Sequence, residues 1–127
     1  MALRWFAGVA LVCAGTFPGV AHASGDAARG GELYSARCGA CHSIEENGAG
    51  PRHLGLFGRR AGSQPVYDYS PALRASGIVW TRQTLDQWLA NPNELVPGNK
   101  MFVQLANEPG DRADLIEYLS VATAYPF

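Results

Sequence analysis

Lysine occurs once in the 127 residues, at Lys100, and ten basic against eleven acidic side chains leave a formal net charge of −1. A nucleic-acid binder normally shows a basic patch or stripe, and this balance lends none. Cysteine is scarce as well: three in all cannot build the disulfide framework of a small secreted scaffold. The apolar run Trp5–Gly15 falls short of the roughly 20 residues needed to span a bilayer. No segment alternates apolar and polar residues as a half-buried strand does. What is present is glycine and proline, fifteen and eight of them, in a length that suits one small loop-rich domain. Loops this long in so small a domain usually wrap around something. A cofactor would supply the missing core.

Residues 1–23 read as a cleavable signal peptide. Arg4 is the only charge before Asp26, Trp5–Gly15 is apolar, and Ala21-His22-Ala23 supplies the small-x-small pattern before Ser24. A retained N-terminal anchor is the competing reading; a lipoprotein is disfavoured because bulky Val12 precedes Cys13. Cleavage would leave residues 24–127 as a single domain, exported to the periplasm, with two cysteines and Lys100 as its one lysine. A concentrated lysine face is then impossible.

Helical signals dominate the remainder, so the fold class expected is all-α with long loops. Asp26 can start a helix over 26–37 with Leu33 and Tyr34 on its apolar side, and Gly30 one turn earlier invites a close helix crossing. Residues 43–62 read as loop. A short turn fits Pro71–Ala75, with Gly77 in a C-terminal capping role. Thr81 can cap a helix that runs to about Asn91 and presents Leu85, Trp88 and Leu89 on one face. Pro92 closes it, and one more turn is expected over Pro92–Val96. Pro109 suits the first position of a last helix whose Leu115, Tyr118, Leu119 and Ala122 recur at helical spacing.

The chemistry sits in Cys38-Gly39-Ala40-Cys41-His42, which reads as a c-type haem attachment site. Two cysteines at this spacing can reach the two vinyl groups of one haem, and the adjacent imidazole can then meet the iron. A thioredoxin-like dithiol would need a neighbouring strand–helix–strand unit, and none is visible. A structural zinc site would need four ligands, and Cys38, Cys41, His42 and His53 form a crowded set without a second pair. For the other axial position, Met101 is the only methionine beyond Met1, in the Pro/Gly-shaped loop Val96–Met101. His/Met ligation marks electron-transfer cytochromes and raises the potential. A lone Met is more often a gap-filler, and His53 is the competing ligand.

With these segments in view, the chain resembles the class I cytochromes c, nearest to bacterial cytochrome c2 and the mitochondrial-type proteins. The likeness is carried, in order, by Gly30 with Tyr34, the Cys38–His42 motif, Gly50-Pro51, Gly55–Arg59, Tyr69-Ser70, Trp80, Pro97–Met101 and Arg112–Leu119. The resemblance implies that short helices and long loops wrap one haem c bound through Cys38 and Cys41, with the first and last helices crossing. It implies that the Pro51 carbonyl accepts a hydrogen bond from His42, and that Arg59, Tyr69 and Trp80 meet the inner haem propionate. It places Trp88 and Asn99 beside Met101. The chain departs from the family pattern in four places. Leu54 comes one residue later than usual after Pro51, Trp88 stands for a usual Tyr, Asn99 replaces a usual Thr, and Val103 takes a position often held by an aromatic.

The function implied is that of a soluble periplasmic electron carrier with iron ligands His42 and Met101, not an enzyme. It would act by outer-sphere transfer, most simply as a monomer, with no small-molecule substrate and no nucleic acid. By resemblance its partners would be redox proteins: a bc1 complex or a periplasmic dehydrogenase as donor, and a terminal oxidase or photosynthetic reaction centre as acceptor. Two other functions compete. One is peroxidase or gas-binding chemistry at a site that Met101 vacates, and the other is a haem subunit of a larger oxidoreductase.

Overall fold

The computed structural model describes residues 24–125; the proposed signal peptide lies outside them. Five helices and connecting loops make up the described chain, with no strand among the described residues beyond one isolated bridge between Arg60 and Val79. The expected all-α class is borne out.

Helix α1 spans Ala27–Arg37, and its Asp26 cap accepts from the amides of Ala28 and Arg29. Helix α5, Pro109–Ala122, begins on proline at its first position. The two cross at Gly30, where a Cβ would lie 2.0 Å from the Asp114 carbonyl oxygen and 2.7 Å from Tyr118 Cβ. Only a residue without a side chain permits that approach. Polar contacts then lock the crossing. The Asp26 amide donates to Asp114 Oδ1 at 2.7 Å, and the Arg29 guanidinium donates to both Asp111 and Asp114.

Helix α2, Pro71–Ala75, is capped by Ser70, and Gly77 at φ 71° turns the chain out of it. Helix α3, Arg82–Ala90, starts in a reciprocal capping box between Thr81 and Thr84. Pro92 ends it and also opens α4, Pro92–Leu95, whose first amides bond to Asn91. Arg112 ties α5 to this region, donating to Asp86 at 2.7 Å and to the Leu105 carbonyl at 2.7 Å.

The loop over 43–62 is unpatterned but not unanchored. Gly58 N donates to the Trp80 carbonyl, Trp80 N to Arg59, and Ala61 N to Ile78, at 2.8–3.0 Å. These pairings hold Arg59 beside Trp80, although 21 positions separate them in the chain. Leu85, Trp88, Leu89, Leu105, Leu115, Ile116 and Leu119 form the buried core between α3 and α5. This core does not close completely: Leu85, Trp88, Leu89, Leu115 and Leu119 also face an open space. It borders a cavity.

Candidate functional site: a cavity between the cysteine motif and the methionine loop

The cavity has a volume of about 310 Å3, within the range of cofactor pockets. Cys38, Cys41 and His42 line it, as do Pro51, Arg59, Tyr69, Trp80, Trp88 and Met101. Nine of the ten site residues expected from sequence therefore converge on one space. Asn99 differs. It does not line the cavity; its Oδ1 accepts from the Met101 amide at 2.7 Å and its Nδ2 donates to the Val96 carbonyl at 2.9 Å. A short amide side chain folds back onto its own loop, so Asn99 shapes the loop that presents Met101.

The motif itself is a tight turn at the end of α1. The amides of Cys41 and His42 both donate to the Cys38 carbonyl, at 3.0 and 2.9 Å. Cys38 is buried and Cys41 exposed at this turn. His42 Nδ1 lies 2.7 Å from the Pro51 carbonyl oxygen. A carbonyl can only accept, so Nδ1 carries the proton and Nε2 keeps its lone pair. Burial lowers the His42 pKa, which also favours the neutral, ligating form. Gly50 packs flat against this ring: a Cβ there would stand 2.4 Å from His42 Cε1.

On the methionine side, Trp88 Nε1 donates to Met101 Sδ at 3.1 Å. Near Trp80, the Arg59 guanidinium donates to the Leu54 carbonyl, to Gln64 Oε1 and to the Arg52 carbonyl. None of these partners is charged, and Arg59 makes no ion pair with a carboxylate among the described residues. A half-buried cation facing a cavity and held only by neutral acceptors suits an anionic ligand group. The donor set is thus two thiols, one imidazole lone pair, one thioether and one guanidinium. It fits an iron porphyrin with carboxylate arms. No group of three or more His, Cys, Asp or Glu that could hold a bare metal ion occurs among the described residues, so the zinc reading finds no site.

His53 is placed beside His42, not across from it. The two imidazoles stack with centroids 4.3 Å apart and planes 20° apart. Ligands on opposite sides of one iron face each other end to end, so His53 cannot complement His42 as the second axial group. Sequence reasoning missed two partners here. Tyr34 contributes its hydroxyl, 3.0 Å from His53 Nδ1, and buried Gln64 braces Arg59. The sequence marks Tyr34 only for the first helix and its crossing, not for this contact, and no motif marks Gln64.

This fold and this donor set define a protein that carries haem on a Cys-x-x-Cys-His segment. Comparison with known proteins then places it. The chain belongs to the cytochrome c family: the family model described as cytochrome c matches residues 27–122. Cytochrome c from Chlamydomonas reinhardtii is 41% identical over 104 residues, covering 80% of this chain and 93% of that protein. Cytochrome c from Cochliobolus lunatus is 42% identical over 102 residues, 78% of this chain and 94% of that one. Among solved structures, cytochrome cH from Methylobacterium extorquens matches with a TM-score of 0.72 and 44% identity, over 76% of this chain and 98% of its own. The protein is therefore a class I cytochrome c: an electron carrier that works with redox partner proteins, not an enzyme. It binds one haem c, attached covalently through Cys38 and Cys41.

Proposed function

We propose that this cytochrome c is a periplasmic single-electron shuttle whose haem iron is held between His42 and Met101. The observation that carries the ligand assignment is the pair of hydrogen bonds flanking the cavity, His42 to Pro51 at 2.7 Å and Trp88 to Met101 at 3.1 Å. Each orients a soft or nitrogen donor with its bonding lone pair left for the iron. The haem supplies the one-electron couple. The chain supplies the rest. His42 is made more electron-rich by sharing its Nδ1 proton with Pro51, and Trp88 fixes the thioether. Arg59, with Tyr69 and Trp80 beside it, would hold the inner propionate, and Asn99 holds the Met101 loop in shape. Trp80, Leu85, Trp88 and Leu115 exclude water from the cavity wall.

Export rests on the signal-like residues 1–23. By likeness to cytochrome c2, the donor is a bc1 complex or a periplasmic dehydrogenase, and the acceptor a terminal oxidase or photosynthetic reaction centre. The exposed side chain of Phe102 and the partly buried Val103 lie at the mouth of the cavity and suit contact with such partners.

The test is the optical spectrum of the ferric, haem-loaded protein. A weak far-red band from iron–thioether coordination is expected, and Met101→Ala should abolish it without releasing the haem. A bis-histidine or high-spin spectrum in the unsubstituted protein would overturn the assignment.

A further inference from the structure

A histidine bound to iron through Nε2 and hydrogen-bonded through Nδ1 is held at two points of its ring. Its χ2 torsion is broad and shallow, so the tilt of the ring plane needs flat neighbours to define it. Two are present at His42. Gly50 supplies bare backbone, close enough that any Cβ would strike the ring. His53 supplies a second flat surface, stacked at 4.3 Å and 20°.

His53 is itself anchored. Its Nδ1 is 3.0 Å from the Tyr34 hydroxyl, and the Tyr34 ring packs against Tyr118 with centroids 5.2 Å apart. Tyr34 belongs to α1 and Tyr118 to α5, so the anchor reaches the helix crossing at Gly30. A leucine at position 53 would fill space but leave the hydroxyl of Tyr34, a buried core residue, without this partner.

We propose that His53 is a positioning residue for the axial ligand: pinned by Tyr34, its ring sets the plane of the His42 imidazole. This rests on the assignment of His42 as an iron ligand. It predicts that removing the Tyr34 hydroxyl, whose hydrogen bond is to His53 and not to His42, will rotate the ligand plane.

The experiment uses the full chain matured with haem, in the ferric state. The spread of the haem methyl proton resonances follows the orientation of the axial imidazole. Tyr34→Phe and His53→Leu should each redistribute those shifts relative to the unsubstituted protein. His53→Phe, which retains a flat ring, should keep more of the original pattern than His53→Leu. The far-red band should persist in all three, since the ligands are unchanged. Patterns superimposable on the unsubstituted protein in both Tyr34→Phe and His53→Leu would overturn the proposal. If His53→Leu does not mature, Tyr34→Phe decides alone, and an unchanged pattern overturns it. Absence of the far-red band from the unsubstituted protein would instead defeat the ligand assignment, and the two failures are thereby distinguished.

Discussion

Trp88 Nε1 points its proton at Met101 Sδ, 3.1 Å away. An indole can donate one hydrogen bond and accept none, so this contact has a single polarity. It draws electron density from the sulfur and makes the thioether a weaker donor to Fe(III). Trp88→Phe should therefore lower the reduction potential. A hydrogen bond is worth about 1 kcal/mol net, which for one electron corresponds to a shift on the order of tens of millivolts. A redox titration of both proteins measures it; a rise in potential would contradict this polarity.

Gly30 is the tightest point of the α1–α5 crossing. Gly30→Ala would normally favour a helix, but here the added methyl meets the Asp114 backbone, which cannot swing aside. Overpacking of this kind costs roughly 1–3 kcal/mol, occasionally more. Denaturant unfolding of the haem-loaded protein should show the midpoint falling. Gly110→Ala, on the same helix pair with nothing within 4 Å of its Cβ, is the control that should not fall.

Acid should weaken the same crossing. The Asp26 amide, and after it the Arg29 guanidinium, hold the Asp114 carboxyl below the usual carboxylate range. A carboxyl with a lowered folded pKa binds its proton more readily in the unfolded chain. The stability it confers is thus complete above the ordinary value of about 3.9 and is lost as pH falls through the lower, folded value. Asp114→Asn should unfold at lower denaturant than the parent near neutrality, and the gap should close toward pH 2. Unfolding midpoints across a pH series check both parts.

Electrostatic steering of partners needs a concentrated patch of one sign. Arg37 and Lys100, which line the cavity, and Arg74, next in sequence to a lining residue, are spent on neighbouring acids. Arg37 pairs with Glu108, while Lys100 and Arg74 both pair with Asp68, at 2.9 and 3.2 Å. Arg52 has no carboxylate partner among the described residues. Rates of electron transfer from the proposed bc1 donor, or to the proposed oxidase, should accordingly change only a few-fold from low to physiological salt, where screening acts over about 8 Å. A fall by orders of magnitude in stopped-flow traces would reveal a steering patch in the complex.

Local signals carried much of this protein. Asp26, Thr81 and Pro109 mark helix starts because a cap or a fixed φ acts within one turn, and the structure puts α1, α3 and α5 where those residues place them. Cys38-Gly39-Ala40-Cys41-His42 declared the haem because two thiols and an imidazole at that spacing have few other uses. Gly30 announced the helix crossing, since absence of a side chain is legible in one letter. What the residues alone left open were the relationships made across the chain. Arg59 and Trp80 meet through backbone pairing of two loops with no periodic pattern. Asn99 is a loop brace and not a cavity wall, a choice between two rotamer directions that only the surrounding packing decides. His53 could be read as a rival ligand until the fold stacked it on His42 and handed its Nδ1 to Tyr34, 19 residues away. Contacts within a turn are written in propensity and spacing; contacts between loops depend on where the whole chain closes around its cavity, and only the tertiary structure settles them.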